Sequence, residues 1–524
     1  MKLLYCGLNY FISIDKMESN VQCNKRIARN TLVMYIRMFV MMIIGLYTSR
    51  VILNTLGIED YGIYNVVGGV VAMFSIISSS LSSSVSRFLT FEIGRGDFER
   101  LKQVFSTSVV VQIVLAIGVM IIIEILGVWF LNYKMNIPAV RMEAANFVMQ
   151  CSILSFGLSI INTPFNASII AHERFGIFAY LTLSDSILKL FIVFLLSVTP
   201  YDPLKTYAIL LLAVTVFVQL IYLIYCRRHF NECRFELKCN KALIKEMGGF
   251  AGWSFFGNTS WILNTQGIDI LINLFFGVTL NAARGIANQV NNIVQGFVSN
   301  FMTALNPQIT KSYAKGDFEY LQRLVFQGAK YSYFLMLFFA LPLCLETKQI
   351  LVLWLKIIPE YAVPFVRLTL ISTMIFVLGN TLTSSQSACG RIKKSAIVTS
   401  LFTFVEFPLT YMCFYLHMSP VSCYIIHIVI YALLIFIKIW LVKEFIKISY
   451  LDYCKEVLLR TALVTVFTFV FPFICYKIIP ESNIRLFFIC ILSMAMCFVG
   501  IYYIGINKNE RMAIFTFLNK KLRK

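Results

Sequence analysis

Between Asn30 and Ile506 the chain falls into about fourteen predominantly apolar runs, each close to the ~20 residues a helix needs to cross the hydrocarbon core of a bilayer. Lipid offers no partner to a backbone N–H or C=O, so runs of this length must close their hydrogen bonds within themselves. An all-α polytopic membrane protein follows. Of the 524 residues 59% are hydrophobic and 14% charged, a balance that soluble domains do not show. The longest polar stretch, Arg227 to Glu246, is shorter than the ~40 residues a domain needs to fold without staples. Chemistry in a separate soluble domain is excluded.

The chain also repeats itself. Gly96-Asp97-Phe98-Glu99 returns as Gly316-Asp317-Phe318-Glu319, and the same spacing, without a gap, lays Gly57 on Gly277 and Gly62 on Ala282. A fainter echo sets Ala171-His172-Glu173-Arg174 against Ala388-Cys389-Gly390-Arg391. Equivalent points lie six spans apart. Six is even, so the halves point the same way, and a pseudo-twofold axis along the membrane normal is expected to relate them. The division is then a segment 1–29, a six-helix lobe 30–226, a basic linker 227–247, a second six-helix lobe 248–442, two extra helices within 443–506 and a basic tail 507–524. Asp97 and Asp317 are read as helix caps accepting from free amide hydrogens, with Gly96 and Gly316 allowing the tight turn.

A net charge of +20 suggests nucleic acid in a soluble protein, but here the basic residues fall in alternate loops. Placing those loops on one side collects roughly 28 Lys and Arg against roughly 7 opposite, which puts both termini in the cytoplasm. No nucleic acid is called for. The 14 cysteines are scattered and read as free thiols; a zinc site from Cys226, His229, Cys233 and Cys239 fits no common spacing. The first twenty residues lack a cleavage signature, and Met17 is an alternative start. Without a phosphate-binding Gly-x-x-x-x-Gly-Lys segment, ATP is not expected as the direct energy source, and no cofactor is implied.

A charge at mid-bilayer costs about 2.5 kcal/mol or more, so such residues face an interior or a wet cavity. Arg37 and Arg50 lie in span one, Arg87 at the inner end of span two (61–88), Glu124 in span three, Asp269 in span seven (248–275), Arg284 at the start of span eight (281–305) and Glu406 in span eleven. Asp185 and Lys189, four apart in span five, neutralise each other. Glu124 and Lys438 are read as snorkelling or paired, and His417 as structural. In span eight Arg284, Asn288, Asn291, Asn292, Gln295 and Ser299 share one helical face. Span seven offers Asn258, Thr265 and Asp269, and span two Asn65, Ser75, Ser79, Ser83 and Arg87 with Gly68 and Gly69. These faces are expected to line a hydrophilic cleft, although stripes of Ser and Gly also serve helix packing.

The Ser49-Arg50-Val51-Ile52-Leu53 end of span one, the segment Leu56-Gly57-Ile58-Glu59-Asp60-Tyr61-Gly62-Ile63-Tyr64 and the Gly-Asp-Phe-Glu loop complete a pattern. Over residues 25–505 the chain resembles the polysaccharide-transport branch, the Wzx-type O-antigen flippases, of the multidrug, oligosaccharidyl-lipid and polysaccharide exporter superfamily. The resemblance implies translocation of an undecaprenyl-pyrophosphate-linked oligosaccharide across a bacterial inner membrane by alternating access, without covalent chemistry. It further implies Arg37, Arg50, Arg87 and Arg284 as contacts for the anionic headgroup, with Asn288, Asn292 and Gln295 for sugar hydroxyls. Asp269 is the candidate for ion or proton coupling. The partners are the lipid-linked glycan, membrane lipid, and a glycan polymerase and glycosyltransferases; the chain is taken as a monomer. Two alternatives stand beside this reading: a drug/cation antiporter of the same superfamily, and a membrane-embedded oligosaccharide polymerase.

Overall fold

The computed structural model describes residues 26–511, apart from 46, 49–50, 53–54, 57–59, 61–62, 65–66, 69–70, 72–73, 135–138, 197–199, 235–239, 277, 356–357, 447 and 508–509. Arg50, Gly57, Gly62, Asn65, Gly69, Cys239, Gly277 and the terminal segments lie outside the described residues. Among the described residues there are helices and no strands. Eleven helices among the described residues are long and apolar enough to cross a bilayer. They are α1 (Arg26–Gly45), α3 (Phe98–Tyr133), α4 (Met142–Ala171), α5 (Phe175–Leu196), α6 (Pro203–His229), α9 (Phe318–Leu345), α10 (Ala362–Cys389), α11 (Lys393–Tyr415), α12 (Ser422–Ile446), α13 (Tyr450–Ile478) and α14 (Asn483–Gly505). Three more fall at the positions of spans two, seven and eight: α2 (Ser75–Arg95), α7 (Lys241–Phe276) and α8 (Val278–Ala314). These are the three on which the sequence places polar stripes, which is why hydropathy alone passes them over.

The chain divides into two compact units. The described residues up to Asn258, with Thr310–Lys315, make the first; Thr259–Ile309 and the described residues from Gly316 onward make the second. In the first, α4 packs against α2, α3 and α6. Its core runs through Val67, Val71, Ala116, Val119, Ala145, Val148, Met149 and Leu204, all nearly inaccessible. Small residues at Ala116, Ala144 and Ala145 let the α3 and α4 backbones approach closely, the usual solution where lipid leaves no hydrophobic drive between helices. In the second unit α9 packs on α10 and α14, and α12 on α10 and α11.

Both Gly-Asp-Phe-Glu loops are caps. Asp97 accepts from the Arg100 N–H at 3.0 Å and Asp317 from the Tyr320 N–H at 3.3 Å. Gly96 and Gly316 sit at φ 76° and 72°, a conformation that costs L-residues ~1–2 kcal/mol. The repeat thus marks a stop and restart of helix in each half. The Asp185–Lys189 pair closes at 2.7 Å. Glu124, in a π-helical turn of α3 (Ile123–Gly127), accepts from Gln150 at 2.8 Å. His417 takes φ 56° just past the end of α11, a turn position.

Charges also staple helix ends. In the first unit Arg141, at the start of α4, reaches Asp60 at 2.5 Å and Asp202 at 2.6 Å. Asp202 is the cap of α6, accepting from Leu204 N–H at 3.0 Å and Lys205 N–H at 3.2 Å, with Pro203 at the first helical position. In the second unit Arg485 of α14 forks onto Glu346, which ends α9, at 2.9 and 3.1 Å, with both side chains 5% exposed or less. Lys330 of α9 meets Glu510 at 3.3 Å. The C-terminal part of the chain is therefore fastened to α9 at its end, through Arg485, and near its middle, through Glu510.

Burial pushes the Asp202 carboxyl up, but the Lys205 N–H, the Arg141 guanidinium and the Leu204 N–H outweigh it and hold it below the ordinary carboxylate value. A depressed carboxylate stabilises the fold above its unfolded pKa of about 3.9, and that stability is lost as pH falls through the lower folded value. Asp202→Ala should cost about 1 kcal/mol, the worth of a cap. Arg141→Ala should cost more, about 3 kcal/mol, because the Asp60 carboxylate is only 5% exposed. Thermal unfolding of the purified protein at neutral pH checks the order; equal losses would show that the bridge to Asp60 adds nothing.

Candidate functional site

Polar side chains of the second unit converge on a cavity of about 110 Å³ formed by α7, α8, α10, α11 and α12. α8 contributes Arg284, Asn288, Asn291 and Gln295, positions spaced so that one helical face carries them all. α10 adds Thr369, Ser372 and Thr373, and α12 adds Tyr424, His427 and Tyr431. This volume admits several waters or one compact polar group, well short of the ~300 Å³ or more that encloses a larger ligand. It has the scale of a headgroup, not of a glycan.

Arg284 is 9% exposed. It makes an ion pair with Asp269 of α7, donates to the Thr265 carbonyl at 3.5 Å, and lies 5.8 Å from the Tyr424 ring centroid. The guanidinium is thus neutralised on one edge by Asp269 while its residue still lines the cavity. Asn288 and Gln295 line it too; Asn292, exposed on the neighbouring face, is not among its lining residues.

A second charged group meets the same space. Glu406, in the middle of α11, is 1% exposed. Its Oε2 accepts from Asn264 Nδ2 of α7 at 2.9 Å, and its Oε1 lies 2.6 Å from His427 Nδ1 of α12. A buried carboxylate is tolerable only with both oxygens partnered, and here two other helices supply the partners. In the sequence Glu406 counts as costly to bury without standing out as a site residue. His427 escapes sequence reasoning altogether, because an imidazole in an apolar run is uncharged in any tally of Lys, Arg, Asp and Glu. The signal for it is Glu406 itself, which needs a donor from another span.

The other candidates fall in the first unit. Arg37 donates to Thr182 at 3.4 Å, with its guanidinium 4.8 Å from the Phe178 ring. Arg87 lies over Phe88, Phe91 and Phe250 at 4.5, 4.7 and 5.8 Å. Both cations rest on aromatic faces, a contact worth ~0.5–2 kcal/mol. The serines of α2 take part in packing and in a cavity on different faces, and of the expected stripe Ser79 lies on the cavity face. Ser80 accepts from Asn258 at 3.0 Å and Ser84 donates to the Met247 carbonyl at 3.1 Å, which is packing. Ser78, Ser79 and Ser82 instead face Ser159, Asn162 and Asn166 of α4 across a cavity of about 310 Å³. Near α6, Cys226 donates to the Phe165 carbonyl at 3.5 Å and Cys233 to Ser168 at 3.9 Å.

Long helices of this order around polar interiors define a membrane protein of the MATE fold. Similar solved structures include MATE in the bent conformation, with a TM-score of 0.72, 15% identity and coverage of 82% of this chain and 97% of that one. MATE in the straight conformation gives 0.69, again at 15%, over 81% and 96%. A MOP superfamily transporter from Pyrococcus furiosus Vc1 (DSM3638), described as having a binding pocket of reverse polarity, gives 0.67 at 15%, over 81% and 96%. The sequence pattern of the polysaccharide biosynthesis protein family matches residues 27–313, and the MatE pattern matches 266–412. The chain belongs to the polysaccharide biosynthesis protein family. It is 22% identical over 279 residues to the uncharacterized membrane protein EpsK of Bacillus subtilis (strain 168), a match covering 53% of this chain. That match spans about half of EpsK, 55% of its length.

The Arg284–Asp269 pair makes a testable contribution. Arg284→Met should destabilise the purified protein by about 2 kcal/mol, below the ~3–5 kcal/mol of a fully buried pair, because the Asp269 side chain keeps 32% exposure. Arg284→Met with Asp269→Leu should recover most of that loss. Two single losses that simply add in a double-mutant cycle would mean that the pair carries no coupling.

Proposed function

We propose that the chain is a flippase that moves a polyprenyl-pyrophosphate-linked oligosaccharide, an O-antigen, capsule or exopolysaccharide unit, across a bacterial inner membrane by alternating access. Both termini are then cytoplasmic, and 30–226 and 248–442 act as the two lobes. The observation that carries this reading is the headgroup-sized cavity of Arg284, Asn288, Asn291 and Gln295 inside the second helical unit of a polysaccharide biosynthesis protein. Arginine suits a pyrophosphate because its planar fork donates two parallel hydrogen bonds and keeps its charge when desolvated. The amides suit hydroxyls, being donor and acceptor at once. Arg37, Arg50 and Arg87 would meet the headgroup along its path, with Asn292 added to the sugar contacts. The hydroxyl-lined cavity of the first unit supplies uncharged partners of the same kind for a glycan. Asp269 balances Arg284 between transport events and is exchanged against the headgroup when it binds.

The chemistry needs no covalent step, which separates this reading from a polymerase. A drug/cation antiporter has one specific observation in its favour, the buried acidic Glu406 in the cavity.

The test is transbilayer movement in proteoliposomes containing the full chain, with a fluorescent short-chain polyprenyl-pyrophosphate disaccharide scored by its accessibility to an impermeant quencher. Arg284→Ala should slow movement by roughly 10–100-fold, the worth of a charge-assisted hydrogen bond, and Asn288→Ala by less. Arg227→Ala, an exposed cation in the last turn of α6, should change nothing. Equal rates for the Arg284 and Arg227 variants would remove the cavity from the path. Transport of lipophilic cations without movement of the lipid-linked sugar would give the protein to the antiporter class.

A further inference from the structure

No site candidate falls on α4 in the sequence, yet one of its faces is polar. Phe156, Ser159, Thr163 and Asn166 follow one another at steps of three and four, with Asn162 beside them, and they meet Ser78, Ser79 and Ser82 of α2 across the cavity of about 310 Å³ in the first unit. That volume is at the lower end of the ~300–1,000 Å³ of ligand pockets. Ser79 and Ser159 are exposed, so the cavity is open on one side. No group that lines it carries a charge.

The state of the hydrogen bonds in this lining limits what it can take. Ser159 donates to the Ser155 carbonyl at 2.9 Å and Thr163 to the Ser159 carbonyl at 3.5 Å, so both have given their protons to their own helix and turn only lone pairs outward. Asn162 and Asn166 make no hydrogen bond to the described residues, and the Asn166 Oδ1 is buried without a donor. Two amides left open in this way cost the helix free energy unless something polar completes them. Each offers two N–H donors and a carbonyl acceptor.

We infer that this cavity binds a neutral sugar residue and discriminates against an acidic one, with Asn162 and Asn166 as its specificity-determining residues. A sugar hydroxyl is donor and acceptor in one group, so it gives its proton to the Ser159 and Thr163 lone pairs and accepts from the asparagine amides. Asn162 and Asn166 stand one helical turn apart, about 5–6 Å between Cβ atoms, a spacing that two hydroxyls of one pyranose ring can bridge. Phe156 supplies an apolar surface for the C–H face of that ring. A uronate or a phosphate-bearing sugar brings a charge and oxygens that only accept. It meets the outward lone pairs of Ser159 and Thr163, and no cation lines the cavity to offset the cost of taking it from water. That the sugar arrives on a lipid carrier rests on the flippase reading above, whereas the sugar site itself does not.

Saturation-transfer NMR on the full chain in nanodiscs tests the site with free methyl glucoside and free methyl glucuronoside. Transfer to the neutral sugar is expected, with a Kd tighter than that of the uronate by about tenfold or more, the scale of one polar group left without its partner. Asn162→Ala combined with Asn166→Ala should abolish transfer and leave the thermal unfolding temperature unchanged or higher, because neither amide bonds to the protein. Asn166→Lys, which places a cation in the lining, should draw the uronate in and reverse the preference. No transfer to either sugar, or equal transfer to both, overturns the inference, and a double variant that loses binding only together with its fold removes the two asparagines from it. Transbilayer movement in proteoliposomes separates this from the flippase reading: a polyprenyl-pyrophosphate disaccharide ending in a hexose should cross faster than one ending in a hexuronate by about the same tenfold. A protein that moves both lipids at one rate and shows no transfer to free sugar sinks the sugar site and leaves the flippase standing. Transfer to free methyl glucoside by a protein that moves neither lipid leaves the sugar site standing and sinks the flippase.

Discussion

Inside a bilayer a charged side chain has no water to turn to, and in the second unit each of the charges described above is answered by a residue of a different helix. Asp269 and Arg284 join α7 to α8. Glu406 ties α11 to α7 through Asn264 and to α12 through His427. Glu346 and Arg485 join the end of α9 to the start of α14, and Lys330, midway along α9, pairs with Glu510. Hydrophobic burial cannot order helices in lipid, because tails are as apolar as leucine. Register must come from contacts with direction, and these pairs supply it.

The first unit solves the same problem differently. Its ion pairs between elements sit at helix ends: Arg141 with Asp60 and Asp202, Arg100 with Glu92 at 3.1 Å, and Lys311 with Glu173, while Asp185 and Lys189 pair within α5. Along their lengths, its helices carry hydroxyls and amides, and the cations Arg37 and Arg87 lie on aromatic rings. Two units marked by the same Gly-Asp-Phe-Glu signature have thus diverged in chemistry. One holds a roomy uncharged cavity and the other a small charged one.

The fold was legible because its signals are local. A run of apolar residues sets a span, a repeated Gly-Asp turn sets a helix restart, and an Asn every three or four residues along α8 sets a face; each is contained in one element. The cavity lining by Arg284, Asn288 and Gln295 could be read for that reason. Pairings between helices could not. Nothing near Arg284 in the sequence says that Asp269 is its partner, since the pair depends on how α7 and α8 cross. His427 was invisible for the same reason: its role comes from Glu406, 21 residues away across a turn. Asn292 and Ser299 show the opposite limit, because a polar stripe broader than the cavity leaves these two members exposed and off its lining.

The helices that hydropathy passes over are also the ones that cost most to insert. α2, α7 and α8 carry many of the serines, threonines and amides that line the two cavities, beside those of α4 and α10, and each such group removed from water costs free energy unless it finds a partner. Helix-to-helix bonds satisfy some of them, as Ser80 does with Asn258. Asn288 and Gln295 are turned instead toward open space, where water or a ligand must complete their hydrogen bonds. A helix that served only as packing would place leucine at those positions and insert more easily. Retaining amides there lowers the stability of the helix in the membrane, and the loss is offset only when something polar occupies the cavity beside it.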